Sequence, residues 1–215
     1  MTREEVKETI AHIGIFPAIR VADSGDALYA AETLYESGIR VAEITMTTPG
    51  AVDIIAELAK RFPDFAVGAG TVLDAVTAER CVDAGARFLT STGLVFDVIE
   101  QGVKSKVVVV PGALTPSEVI SAWKAGADFV KIFPAAAVGG DLYIRSLQLP
   151  LPHIPLIAAG GVNQQTAIGF IQAGAAAIGV GMELLPREAV LHRQSQRIHG
   201  LARRFLGYVH EGRAS

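Results

Sequence analysis

Lys124-Ala125-Gly126-Ala127-Asp128-Phe129-Val130-Lys131-Ile132-Phe133-Pro134 contains the unit from which the whole chain is built. A helical stretch closes on Gly126, a residue suited to the left-handed position after a helix, and an apolar run follows at once. The same junction returns at Glu36-Ser37-Gly38-Ile39, Asp83-Ala84-Gly85-Ala86 and Gln172-Ala173-Gly174-Ala175. Between these marks, strands and helices alternate. Strands are expected at Phe16–Val21, Val41–Met46, Ala66–Thr71, Phe88–Thr92, Val107–Pro111, Phe129–Phe133, Leu156–Ala159 and Ala177–Gly181. Amphipathic helices such as Asp26–Ser37 and Ala51–Phe62 lie between them. Strands that are apolar nearly throughout are buried on both faces, which implies a parallel sheet. Eight such βα units in 215 residues favour a closed (β/α)₈ TIM barrel over an open doubly wound sheet. The chain is expected to form one α/β domain, 1–215.

Thr2-Arg3-Glu4-Glu5 reads as a capping box that starts an extra N-terminal helix before the first strand. Arg187 to Tyr208 reads as one basic helix whose Val190, Ile198, Leu201 and Phe205 pack on the barrel. The helix around Asp141–Leu147 and the connection Pro150-Leu151-Pro152 have the least regular pattern. Asp74 and Asn163 are expected to cap the helices after the third and seventh strands.

Composition narrows the function. A net charge of −3 with scattered Lys and Arg offers no basic surface for nucleic acid. The single cysteine, Cys81, allows no internal disulfide framework and suits a reducing compartment as a buried helix residue. No stretch approaches the roughly 20 apolar residues that cross a bilayer, and no hydrophobic signal segment opens the chain, so a cytoplasmic protein is expected. His12, His153, His192, His199 and His210 lie away from the strand ends without ligand spacing, which argues against a metal-dependent reaction. Trp123 and Tyr29 read as helix residues that pack against the sheet.

Lys131 interrupts one apolar run, and Glu43 interrupts another, Val41-Ala42-Glu43-Ile44-Thr45-Met46-Thr47. Burying an ammonium without a partner is expensive, so such a lysine is either paired or required for function. A Lys–Glu pair bridging two elements satisfies the first alternative. An amine that burial can make neutral, with a carboxylate to move protons, satisfies the second as equipment for imine chemistry on a carbonyl. The barrel tips the balance. Only Arg20, Glu43 and Lys131 carry ionisable side chains within the strand cores, and barrel active sites form at the C-terminal ends of strands. An acid, an amine and a guanidinium around one cavity suit a keto acid. Glycines end the third, seventh and eighth strands at Gly68-Ala69-Gly70-Thr71, Gly160-Gly161 and Gly179 to Gly181. Their backbone N–H groups could meet an anion, or they could simply allow tight turns.

Val41-Ala42-Glu43-Ile44-Thr45, Gly68-Ala69-Gly70-Thr71-Val72-Leu73, Pro111-Gly112-Ala113-Leu114-Thr115-Pro116-Ser117-Glu118 and Val130-Lys131-Ile132-Phe133-Pro134-Ala135 together resemble, in order and spacing, the class I 2-keto-3-deoxy-6-phosphogluconate / 4-hydroxy-2-oxoglutarate aldolases. The likeness runs from about Ile13 to Pro186. It implies a (β/α)₈ barrel, a homotrimer, no metal or other cofactor, and a small keto-acid substrate. Lys131 would be the Schiff-base lysine, Glu43 the general acid/base, Thr71 a carboxylate ligand and Phe133 a pocket wall.

Four positions depart from that pattern. Thr47 stands where the phosphogluconate enzymes carry an arginine, Thr92 where they carry proline, Ala159 where they carry threonine, and Met182 where they carry serine. Arg20 resembles the strand 1 arginine of other branches and is assigned the carboxylate clamp, for which a bidentate guanidinium is suited. The backbone N–H groups of Gly160, Gly161 and Gly181 remain for the far end of the substrate. The expected reaction is cleavage of a 2-keto-3-deoxy acid to pyruvate and an aldehyde. Whether the aldehyde is phosphorylated stays open. Two alternatives are a phosphosugar isomerase or decarboxylase barrel and a non-catalytic protein that binds a keto acid.

Overall fold

The computed structural model describes residues 1–214. Helix α1 (Arg3–Ile13) begins at the expected capping box, in which Thr2 Oγ1 accepts the Glu5 N–H and the Glu5 carboxylate accepts the Thr2 N–H. It ends at Gly14, whose φ of 66° only glycine adopts without cost. Arg3 then ties the helix to the base of the sheet. Its Nη2 lies 2.9 Å from Oδ2 of the buried Asp128, which also accepts the Val109 N–H at 2.9 Å.

Among the described residues nine parallel strands form the sheet: β1 (Ile15–Ile19), β2 (Val41–Thr45), β3 (Ala66–Gly70), β4 (Phe88–Thr90), β5 (Val108–Val110), β6 (Gly112–Ala113), β7 (Val130–Ile132), β8 (Leu156–Ala159) and β9 (Ala177–Val180). Their order is β5-β4-β3-β2-β1-β9-β8-β7-β6. The fifth strand, expected to end at Pro111, resumes beyond it, and Pro111, which has no N–H to offer a ladder, divides the stave into β5 and β6. β5 pairs with β4, and β6 pairs with β7. The two ends of the order are therefore consecutive in the chain, and the ring closes there. The Pro111 carbonyl completes it by accepting the Lys131 N–H at 2.9 Å. β1 stops at Ile19, so Arg20 and Val21, expected within the first strand, lie in the loop that follows it.

Helices α2 (Ser24–Glu36), α3 (Ala51–Arg61), α4 (Ala75–Asp83), α5 (Phe96–Lys104), α6 (Pro116–Lys124), α7 (Asp141–Gln148) and α8 (Ala167–Gln172) cover the outside of the ring. Asp74 caps α4 as expected, accepting the Thr77 N–H at 2.7 Å. Asn163 does not cap α8. Its Oδ1 instead accepts the N–H groups of Gln165 and Thr166 at 2.9 and 3.0 Å, folding a turn ahead of the helix. The expected helix from Arg187 is two, α9 (Arg187–Leu191) and α10 (Ser195–Ala214). The break passes through Arg193, at φ 52°, whose Nη1 holds Asp26 Oδ1 at 2.6 Å. α10 then turns its buried Ile198, Ala202, Phe205 and Val209 against α8 and α2. Ile198, Phe205 and Val209 each contribute about 1.5–3 kcal/mol when fully buried.

Inside the ring, Phe16 and Phe88 pack with centroids 4.9 Å apart. Gly68 makes room for them, since a Cβ there would come within 2.3 Å of the Phe88 ring. This aromatic plug fills the lower barrel. The upper barrel holds the polar groups.

Candidate active site

Glu43 on β2, Thr90 on β4 and Lys131 on β7 come from the second, fourth and sixth staves of the barrel, if β5 and β6 are counted as one. Side chains from alternate strands share a layer in such barrels. Register fixes the outer two: Glu43 lies beside Ala18 and Gly68, and Lys131 beside Gly112 and Ile157. The eighth stave offers Gly179, which lines the same cavity without a side chain. A Cβ there would meet that of Ala159 at 2.6 Å.

Glu43, Thr90 and Lys131 are 4 %, 0 % and 7 % exposed, so water does not screen their contacts. Lys131 Nζ stands 3.9 Å from Glu43 Oε2, too far for a hydrogen bond. Thr90 Oγ1 fills the interval. It accepts from Lys131 Nζ at 3.3 Å and donates to Glu43 Oε2 at 2.6 Å. Gly70 leaves the carboxylate its space: a Cβ there would lie 2.7 Å from Glu43 Cδ.

A cavity of about 450 Å³ opens over this layer, and all eight residues singled out from the sequence line it. Arg20 follows β1 and is exposed, with its Nη2 3.4 Å from Thr71 Oγ1. Thr71 follows β3 with a φ of 58°, a conformation that costs a threonine on the order of 1 kcal/mol and is often found at ligand clamps. Phe133, just past β7, walls the rim. Gly160 and Gly161 follow β8 at φ 85° and 82°, and the first packs so tightly on Phe133 that a Cβ would sit 3.0 Å from its ring. Gly181 follows β9.

Of the four positions that depart from the family pattern, Thr92, Ala159 and Met182 also line the cavity. Thr47 is not among its lining residues, and its hydroxyl meets that of Thr45 at 2.9 Å. The sequence reading missed Thr90 because it counted ionisable groups only. The one available signal was a hydroxyl inside the buried run Phe88-Leu89-Thr90.

An amine and a carboxylate joined through a hydroxyl, with a guanidinium at the rim, can form an imine with a 2-keto acid and move its protons. The family described as KDPG and KHG aldolase matches residues 6–201. The chain belongs to that family. It is thus an aldolase, a carbon–carbon lyase. Among relatives, the 2-dehydro-3-deoxy-phosphogluconate aldolase of Pseudoalteromonas atlantica is 32 % identical over 189 residues, 88 % of each chain. The KHG/KDPG aldolase of Escherichia coli K12 is 31 % identical, covering 88 % of this aldolase and 89 % of that one. The KDPG aldolase of Legionella pneumophila, solved with pyruvate captured at low pH as a covalent carbinolamine intermediate, superposes with a TM-score of 0.85. It is 31 % identical, and the superposition covers 92 % of this chain and 96 % of that one.

Proposed function

We propose that Lys131 is the Schiff-base nucleophile and Glu43 the general acid/base of a class I aldolase that splits a 4-hydroxy-2-keto acid into pyruvate and an aldehyde. The observation that carries this is the buried Lys131–Glu43 pairing, 3.9 Å apart at the floor of a cavity with Arg20 and Thr71 at its mouth.

The neutral Lys131 amine attacks C2 of the keto acid to give a carbinolamine, which loses water to form an iminium ion. That cation is the electron sink. As Glu43 takes the proton of the C4 hydroxyl, the C3–C4 bonding electrons move into a C2–C3 double bond, and the aldehyde departs. The enamine is protonated at C3, and water releases pyruvate from Lys131. No metal or cofactor is needed for any step. Arg20 and Thr71 hold the carboxylate so that the breaking bond lies parallel to the iminium π system. Phe133 closes the wall, and the N–H groups of Gly160, Gly161 and Gly181 face the aldehyde end.

That far end also carries Ala159, Met182 and Glu183, none of them cationic. A short, unphosphorylated aldehyde suits it better than a phosphate dianion, which would face the Glu183 carboxylate without a compensating side chain. One domain, 1–215, carries the reaction. A cytoplasmic homotrimer completes the proposal, supported by the family likeness. No helix among the described residues is long and apolar enough to cross a membrane.

Borohydride reduction in the presence of pyruvate tests the assignment. Mass spectrometry is expected to find a reduced pyruvyl adduct on Lys131, and Lys131→Ala is expected to lose both adduct and cleavage. Cleavage near the wild-type rate in Lys131→Ala would overturn it. An adduct without turnover of any 4-hydroxy-2-keto acid would indicate a binding protein.

A further inference from the structure

We propose that Thr90 is a third catalytic residue, a hydroxyl relay that carries protons between the Lys131 amine and the Glu43 carboxylate during imine formation. The proposal rests on the aldolase reading of the site and adds a residue to it. Among the described residues, Lys131 Nζ and the Glu43 carboxylate each make their hydrogen bond to Thr90 Oγ1 and to nothing else. Their direct separation of 3.9 Å is too long for a proton to pass without an intermediary. A hydroxyl is the smallest group that accepts and donates at once.

The hydroxyl is held in place. Thr90 is fully buried, its carbonyl accepts the Val72 N–H at 3.0 Å, and its backbone is in register with Val110. A β-branched side chain on a strand has few χ1 choices, so Oγ1 does not drift from the line between its neighbours.

The proton count closes over the sequence. With Lys131 as the ammonium and Glu43 as the carboxylate, Nζ passes a proton to Thr90 Oγ1 while Thr90 passes its own to Glu43 Oε2. This leaves a neutral amine and a carboxylic acid. Nζ adds to C2, and the carboxylic acid protonates the resulting alkoxide. The nitrogen, now a secondary ammonium, sends a second proton through Thr90 to Glu43. The acid delivers it to the C2 hydroxyl, which leaves as water. The nitrogen keeps one hydrogen in the iminium ion, and Glu43 returns to the carboxylate. Three ammonium hydrogens end as one on nitrogen and two in water.

The test compares Thr90→Val, nearly the same shape without the hydroxyl, with Thr90→Ser, which keeps it. Borohydride trapping of pyruvate on Lys131 is expected to slow on the order of 100-fold in T90V. The residual rate should rise with the concentration of buffer base, and T90S should restore a fast, buffer-independent rate. A purely structural role for Thr90 would not create buffer dependence. Trapping in T90V at the wild-type rate and pH profile would overturn the relay. A second measurement needs no pyruvate: the pH dependence of Lys131 acetylation by acetic anhydride, read by peptide mapping. It is expected to shift in T90V and return in T90S, and an unshifted profile would overturn the relay. If wild type formed no pyruvate adduct at all, the aldolase assignment would fall and the relay with it, whereas an adduct that T90V forms as fast as wild type would overturn the relay alone. If T90V failed to fold by circular dichroism, Thr90→Ala against Thr90→Ser would take its place with the same readouts.

Discussion

Gly70 and Glu43 occupy space that only one of them can fill: a Cβ added to the glycine would lie 2.7 Å from the carboxylate carbon and 2.9 Å from Oε1. The contact is with the free end of a side chain. In Gly70→Ala the glutamate would therefore swing aside while the strand stays in place. The thermal midpoint is expected to move by only a few degrees, whereas kcat is expected to fall on the order of 100-fold, as for a catalytic group displaced by about 1 Å. Steady-state kinetics beside a melting curve separates the two, and a large loss of stability with unchanged kcat would refute it.

Glu43→Gln keeps an acceptor for the Thr90 hydroxyl but cannot take up or give back a proton. Turnover is expected to fall on the order of 10²- to 10⁴-fold. The imine should still form slowly, so prolonged borohydride trapping should find the pyruvyl adduct on Lys131. Unimpaired cleavage would remove Glu43 from its role.

Arg20 stands at the cavity mouth beside Thr71, with 3.4 Å between Nη2 and Oγ1. A charge-assisted bond to the keto-acid carboxylate contributes about 1.5–3 kcal/mol. Arg20→Ala is therefore expected to raise KM about tenfold or more, with a smaller change in kcat. Arg20→Lys should recover only part, because an ammonium lacks the guanidinium fork. A KM unchanged in Arg20→Ala would move the carboxylate elsewhere.

Cys81 on α4 is fully buried, with its thiol 3.5 Å from Met46 Sδ, and burial pushes its pKa up to about 11. In the unfolded chain a thiol titrates near 8.5. The folded form thus favours the neutral thiol. That contribution is complete below about pH 8 and fades as pH rises from there through 11. Urea denaturation from pH 8 to 11 should show wild type losing up to about 3 kcal/mol more than Cys81→Ala. At pH 8 the native protein should also resist iodoacetamide that the unfolded chain takes up readily.

The barrel was legible because its punctuation is chemical. Gly38, Gly85, Gly126 and Gly174 sit at positive φ after helices, where a side chain would be strained. Lys131 and Glu43 were legible because a charge in an apolar run has no cheap explanation. Thr90 was not, because threonine is a favoured strand residue and its role depends on which way the sheet turns it. The split at Pro111 and the break at Arg193 depend on ring closure and on the Asp26 ion pair, and both join residues far apart in sequence. Asn163 looked like a helix cap because Asx turns and N-caps use the same residue types.

The seam at Pro111 also constrains how copies of this chain can meet. A sheet whose first and last ribbons are neighbours along one backbone presents no row of unpaired amides and carbonyls. A second molecule cannot append a strand to it, and neither can a misfolded one. Self-association must therefore run through the outer helices or the rim loops, and side-chain substitutions there can tune assembly without touching the hydrogen-bonded cylinder.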